Sequence, residues 1–219
     1  MKASSGSIRI AVLGAENVGK SAVTVRFLTR RFIGEYNSNT DLLYRTRFQS
    51  EDSSVCIEVL DTCSRKEFSS TDLTPTWAHS YVIIYSTCDR SSFDSARKIL
   101  DSLNKLRIQG CAPILLLGNK KDLSHMREVD SDEGDRLALQ YGCRHEEVSA
   151  ADDYKIIRNI FQELVADAKI VQQQRATLPK KRRSSLTNVS KKLGAVFGKK
   201  DSLEKRKLSC DIIDLNTIK

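Results

Sequence analysis

The sequence predicts an α/β domain built on a six-stranded, mostly parallel sheet with helices on both faces. Three observations carry that prediction. Apolar runs of strand length alternate, over residues 8–170, with segments whose apolar residues recur at helical spacing. The stretch Gly14-Ala-Glu-Asn-Val-Gly-Lys-Ser21 falls directly between the first such run and the first helical segment, which is the context in which a glycine-rich loop wraps phosphates. A chain of 219 residues is long enough for one sizeable core with a further segment to spare.

In chain order, IRIAVL (8–13) is the first strand and SAVTVRFLTRRF (21–32) the first helix. LLYRTRFQS (42–50) and SVCIEVL (54–60) form a hairpin around the polar SEDS, and YVIIYS, PILLLG and EEVSA supply three more strands. SSFDSARKILDSLNKLR (91–107), SDEGDRLALQYG (131–142) and DYKIIRNIFQELVADAKIV (153–171) each combine a polar start with apolar residues at helical intervals. The order β-α-β-β-β-α-β-α-β-α places helices on both faces of the sheet. The chain divides into a flexible N-terminus (1–7), this domain (8–170) and a basic, largely disordered tail (171–219) in which an amphipathic helix can form, with no internal repeat.

The charge belongs to the tail. Of a net +8, residues 171–219 hold thirteen Lys and Arg against four Asp and Glu, a net +9 that leaves −1 for the rest. A nearly neutral core with a basic extension argues against a core that reads nucleic acid and for a separate electrostatic anchor or address. The longest apolar stretches are strand-sized, so no membrane span is expected. MKASSGSIRI lacks a signal-peptide core and has Lys2 where myristoylation needs glycine. The expected address is cytoplasmic. Six cysteines without a CxxC pair read as reduced, mostly buried thiols rather than zinc ligands.

The residues 14–21 read GxxxxGKS. In such a loop the backbone amides from Gly14, Ala15, Glu16, Asn17, Val18 and Gly19 through to Ala22 surround the phosphates. Lys20 reaches the outer ones and the Ser21 hydroxyl binds Mg²⁺. The plain alternative is a glycine-rich turn capping a helix; a strand directly before the loop and a helix directly after it favour the phosphate loop. Asn119-Lys120-Lys121-Asp122, followed by Leu123, lies just past ILLLG at the carboxyl edge of the sheet, where ligands bind in open α/β folds. The Asp122 carboxylate can accept two hydrogen bonds from guanine, and sites that read polar groups this way discriminate by about 10⁴ to 10⁵. Alone the tetrapeptide is a common polar loop. A preceding phosphate loop and a following Ser149-Ala150 give it meaning.

With all these motifs in order over roughly residues 8–170, the chain resembles the small GTPases of the Ras superfamily. RFLTRRFIGEY, WAHSYVIIYS, GNKKDL and the tail with RRSS resemble a divergent Ras-like subgroup around the Ras-related oestrogen-regulated growth inhibitor and its Ras-like relatives, which lack a prenylation box. The resemblance implies a P-loop GTPase (Ras-like) fold that binds GTP or GDP with Mg²⁺. It implies that Phe32 packs edge-on to guanine, Lys120 lays its stem over the base and the Ala150 N–H meets the guanine O6. Phe32 as a core residue and Lys120 as a solvated charge are the alternatives. Ala151 stands where the family has a lysine, so one base contact is absent.

The loop Asp61-Thr-Cys-Ser-Arg65 departs from the family's DTAGQ. Asp61 suits the Mg²⁺ shell. Ser64 replaces a glycine whose N–H meets the γ-phosphate, and its Cβ restricts the backbone. Arg65 replaces the glutamine that orients the attacking water, and a guanidinium has donors only. Glu16 puts a carboxylate where the family has a small residue, near polyphosphate and in the path of an activator's arginine finger. Thr40 lies one residue later than the family spacing from Phe32, with Asn39 at the expected place; a local bulge delivers Thr40 to Mg²⁺ and the γ-phosphate. Lys20, Thr40 and Arg65 are thus the candidate catalytic residues, and Ser21, Thr40 and Asp61 the metal ligands. Arg65 as a charge stabiliser in cis is the alternative to a solvated or partner-facing arginine.

In the tail, Lys180-Lys-Arg-Arg-Ser-Ser185 precedes apolar residues at helical spacing (Leu186, Val189, Leu193, Val196, Phe197). A solvated linker is the plain reading. A basic amphipathic helix over 180–207 could instead meet an anionic membrane, calmodulin or nuclear import. The ending Asn216-Thr-Ile-Lys219 carries no prenylation box, and Cys210 lies too far upstream. The reading is a monomeric guanine-nucleotide switch with slow GTP hydrolysis that meets effectors and regulators through residues near 34–45 and 62–79. The rivals are a pseudo-GTPase interaction module with structural nucleotide, and an ATP-using P-loop kinase, which NKKD opposes.

Overall fold

The computed structural model describes residues 7–34, 40–49, 54–63, 77–106, 112–152, 154–177 and 211–216. Strand β1 (Ile8–Gly14) leads into helix α1 (Lys20–Thr29), and β2 (Leu42–Gln49) and β3 (Ser54–Asp61) follow. Next come β4 (Ser80–Ser86), α2 (Arg90–Leu106), β5 (Ile114–Asn119), α3 (Ser131–Tyr141), β6 (Arg144–Glu147) and α4 (Tyr154–Thr177). A last strand, β7 (Asp211–Asp214), comes from the tail. The sheet order is β6-β5-β4-β1-β3-β2-β7. Among the described residues only β2 and β3 pair antiparallel, from Leu42 opposite Asp61 to Gln49 opposite Ser54, as the hairpin reading required.

The fold class stands, with one strand more than the six expected. The seventh is β7, parallel to β2 with Leu42 opposite Asp211 and Arg45 opposite Asp214. The last helix also continues through Thr177, past the boundary placed at 170.

Strands β4 and β5 are buried along their whole length, as expected where helices cover both faces. One core lies between the sheet and the α1/α4 layer, where Phe27 stacks on Phe161 with ring centroids 4.3 Å apart. The other lies under α2 and α3 and centres on Tyr85, Phe93 and Leu116. The Glu133 carboxylate accepts from the Asp130 N–H at 3.2 Å, and Gly142 ends α3 in the left-handed conformation (φ 60°).

Bidentate pairing of Arg127 with Glu147, 2.8 Å on both arms, ties the loop after β5 to β6. Trp77 is partly buried beneath Arg9, whose guanidinium lies 5.5 Å from the ring centroid. Cys56, Cys63, Cys88 and Cys143 are free thiols, half-buried rather than buried as expected: Cys63, Cys88 and Cys143 lie in loop junctions, and Cys56 lies within β3 opposite Arg47 of the sheet's outer hairpin. Cys111 and Cys210 fall outside the described residues. Among the described residues no helix is long and apolar enough to cross a membrane.

Candidate nucleotide-binding site

At the carboxyl edge of the sheet, a cavity of about 560 Å³ runs from the start of α1 to the loops after β5 and β6. Its phosphate end is built by the turn from β1 into α1. Val18 is fully buried and pins the loop to the core, while Glu16 and Asn17 stay exposed. Two glycines are required there. A Cβ on Gly14 (φ 148°) would lie 2.2 Å from the Ile84 carbonyl oxygen, and one on Gly19 (φ 92°) would lie 2.3 Å from Asn119 Nδ2. The first-turn amides of α1 have no earlier helical carbonyl to bind and face the cavity, a ready anion site.

Lys20 is buried, with its ammonium donating to the Gly14 carbonyl at 3.1 Å and the Ala15 carbonyl at 2.7 Å. Burial pushes its pKa down, and the nearby carboxylate of Asp61 opposes that shift. The Asp61 carboxyl is raised to about 6, first by burial and less by Asp41, while a hydrogen bond with Ser21 and the charge of Lys20 pull the other way. Its Oδ1 is buried with no hydrogen-bond partner among the described residues. A buried, orphaned carboxylate oxygen beside the Ser21 hydroxyl is a hard-oxygen donor set that fits Mg²⁺. Thr40 lines the same cavity. Asn39, Ser64 and Arg65 lie outside the described residues.

The base end is tied together from below. Asn119, 2% exposed, donates from Nδ2 to the Val18 carbonyl at 2.9 Å and accepts from the Ala150 N–H at 3.1 Å. One side chain thus clamps the phosphate loop to the loop after β6. Ala150, whose N–H the resemblance directs at the base, lines the cavity beside this clamp. Ser149 Oγ accepts from the amides of Ala151 and Asp152, and Arg26 reaches across from α1 to the carbonyls of Ala151 (3.4 Å) and Asp152 (2.8 Å). Lys120 adopts a left-handed backbone (φ 68°) and, with exposed Asp122 and half-buried Leu123, lines the cavity. Phe32 lines it too and is 47% exposed, so it is no core residue.

Several functional residues were not singled out in the sequence. Thr87 Oγ1 donates to the Asn119 and Lys120 carbonyls, both at 3.2 Å, and Cys88 Sγ to those of Lys120 (3.8 Å) and Leu123 (3.4 Å). They hold the base loop through its backbone, so no side-chain motif betrays them. Leu42, Thr62, Cys63 and Gly34 also line the cavity. Asp41 is buried, and its Oδ1 accepts from the Cys63 N–H at 2.8 Å, joining the two segments that flank the phosphate end. A carboxylate just before β2, opposite the strand end carrying Asp61, was the signal available for it.

Comparison with known proteins agrees with this geometry. The model of the Ras family matches residues 9–170. The bovine Ras-related and estrogen-regulated growth inhibitor-like protein is 36% identical over 200 residues, covering 88% of this chain and 97% of the relative. The human Ras-related and estrogen-regulated growth inhibitor is 34% identical over 198 residues, 90% of this chain and 98% of the relative. The zebrafish Ras-like protein family member 11B is 39% identical over 178 residues, 78% of this chain and 73% of the relative. From the phosphate loop to the base loop, by motif, fold and similarity along its length, this chain belongs to the Ras family.

Proposed function

We propose that this small GTPase is a molecular switch that holds GTP or GDP with Mg²⁺ firmly and hydrolyses GTP slowly. The observation that carries the reading is one continuous cavity with the α1 N-terminus and Lys20 at one end and Asn119, Lys120 and Asp122 at the other. In this reading Lys20 and the first-turn amides bind the phosphates, Asp122 reads the guanine edge, and Phe32 and Lys120 flank the base. Ser21, Asp61 and Thr40 would hold Mg²⁺, which supplies charge neutralisation to the phosphates when bound. Hydrolysis is slow because Arg65 cannot accept a hydrogen bond from the attacking water and Ser64 lacks a glycine's freedom.

The address is part of the proposal: cytoplasmic, with residues 180–207 attaching the protein reversibly to anionic membranes. Each Lys or Arg near such a surface contributes about 1 kcal/mol. Phosphorylation of Ser185, beside Arg182 and Arg183, would weaken that attachment. Vesicle flotation checks it, and a 1–170 fragment floating as well as the whole chain would remove the tail from the mechanism.

The nucleotide assignment is tested by purifying the protein with Mg²⁺ and identifying what it carries. GDP or GTP is expected, with thermal stabilisation by GTP and not by ATP. Equal stabilisation by both would contradict the assignment.

A further inference from the structure

The far end of the chain reaches back to the phosphate end of the cavity. The first N–H of β7, that of Asp211, donates to the Asp41 carbonyl at 3.2 Å. Asp41 stands between Thr40, which lines the cavity, and Leu42, the first residue of β2. Its side chain takes a second partner, with Oδ1 accepting from the N–H of Cys63 at 2.8 Å, and Cys63 lines the cavity too. The backbone ladder between β2 and β3 ends at Leu42 opposite Asp61, so the Asp41 carboxylate carries that connection one step further. Asp41 is only 6% exposed. A nearly buried acceptor has little water to turn to, and its bond holds the Cys63 backbone more firmly than an exposed one could.

What keeps β7 in place lies farther along the strand. The Leu215 N–H donates to the Arg45 carbonyl at 2.9 Å, and Asn216 Oδ1 accepts from the Arg47 N–H at 3.0 Å. Asn216 is itself fixed by its own N–H and Nδ2, both 2.9 Å from Asp214 Oδ1. Ile213 and Leu215 pack against the core that contains Tyr44 and Phe48, whereas Ile212 on the opposite face is 59% exposed. Four residue pairs join β7 to β2, against eight that join β2 to β3. The strand therefore opens at a lower free energy than the hairpin beside it. A short strand, anchored by two apolar side chains, ends on a residue that reaches the cavity wall.

We propose that β7 is a latch on the bound nucleotide: by holding Asp41 it steadies Cys63 and the phosphate end of the cavity, and its opening lets nucleotide leave faster. Asp41 is the positioning residue, since none of residues 211–216 lines the cavity. The inference rests on the reading of that cavity as a guanine-nucleotide site. Linkage makes the coupling reciprocal. The factor by which docked β7 raises nucleotide affinity is the factor by which bound nucleotide favours docked β7.

Release of bound GDP from the full-length protein, in Mg²⁺ and excess unlabelled GDP, tests the latch. Ile213→Asp keeps the N–H and loses the apolar contact, Ile213→Pro removes the N–H, and each should speed release about fivefold. Ile212→Asp, the same change on the exposed face, should leave it unchanged. Asp41→Ala should speed release about tenfold, and the Asp41→Ala/Ile213→Asp double variant no further, because β7 acts through Asp41. Asp41→Asn, which keeps an oxygen for the Cys63 N–H, should stay close to wild type. Hydrogen exchange reads the reciprocal effect: the Asp211 and Leu215 amides should exchange about fivefold faster in nucleotide-free protein than with GDP and Mg²⁺ bound. Because β7 exchanges by local opening, general stabilisation by a ligand does not slow it. Equal release from wild type and both Ile213 variants, additive effects in the double variant, or β7 exchange that nucleotide does not slow would each overturn the latch while leaving the nucleotide site intact. A wild type that retains no guanine nucleotide would overturn the reading of the cavity itself, and the latch with it.

Discussion

The two ends of the cavity are built differently. At the base end, Thr87, Cys88, Asn119, Ser149 and Arg26 hold the loop backbones from beneath. At the phosphate end, the anion-binding turn is equally fixed, but the groups facing it from the other side are a raised, half-orphaned Asp61 and an Asp41 that reaches Cys63. Recognition is preorganised by side chains already committed to the protein, and such preorganisation costs nothing at the moment of binding. In the proposed reading turnover depends on the sequence just after Cys63, where Ser64 and Arg65 replace the glycine and glutamine of the family's DTAGQ. In the proposed reading the difference separates how tightly a nucleotide is held from how fast it is turned over.

Asp122→Asn attacks recognition most directly. Preference for guanine over xanthine nucleotides should invert, because the paired hydrogen bonds behind discrimination of about 10⁴ are reversed in polarity; competition binding with GDP and XDP reads it. Next in size is Asn119→Ala, which leaves the Val18 carbonyl and the Ala150 N–H buried without partners. At about 1–3 kcal/mol for each orphaned group, nucleotide should dissociate roughly a hundredfold faster. Unchanged dissociation would mean that the two ends are not joined through this residue.

Thr87→Val is smaller. It removes a hydroxyl shared between two loop carbonyls, and a loss of about 1 kcal/mol should speed release roughly fivefold.

The phosphate end yields a pH effect instead. The folded pKa of Asp61, about 6, lies above its usual value of 3.8, so between those values the folded protein binds more protons than the unfolded. Stability of the nucleotide-free, chelator-treated protein should therefore fall as pH rises from 4 to 6 by up to a few kcal/mol, with the penalty fully present above pH 6. Asp61→Asn should flatten that slope in thermal melts. A slope that persists in the variant would assign it elsewhere.

What the sequence made legible follows the same division. Gly14–Ser21 and Asn119–Asp122 were readable because each works through a short local pattern whose flanking elements can be checked. Thr87 and Cys88 were not, since they act on backbone carbonyls of a distant loop and any small polar residue there looks alike. Strand β7 escaped because DIID is short, sits in a charge-dominated tail and pairs with a strand far away in sequence. No periodicity within four residues announces that. Asp41 was overshadowed by the neighbouring Thr40, whose hydroxyl has an obvious use, while a carboxylate that binds a backbone N–H across two loops has no motif.

Single-turnover GTP hydrolysis by the purified full-length protein tests the separation of binding from turnover most directly. A nucleotide that stays bound while being hydrolysed on the order of 10⁻⁴ s⁻¹, at a rate that Arg65→Gln does not lower, is the expected result. An unassisted rate near 10⁻² s⁻¹ that Arg65→Gln reduces about tenfold would contradict it, making Arg65 a charge stabiliser in cis and this end of the cavity a working catalyst.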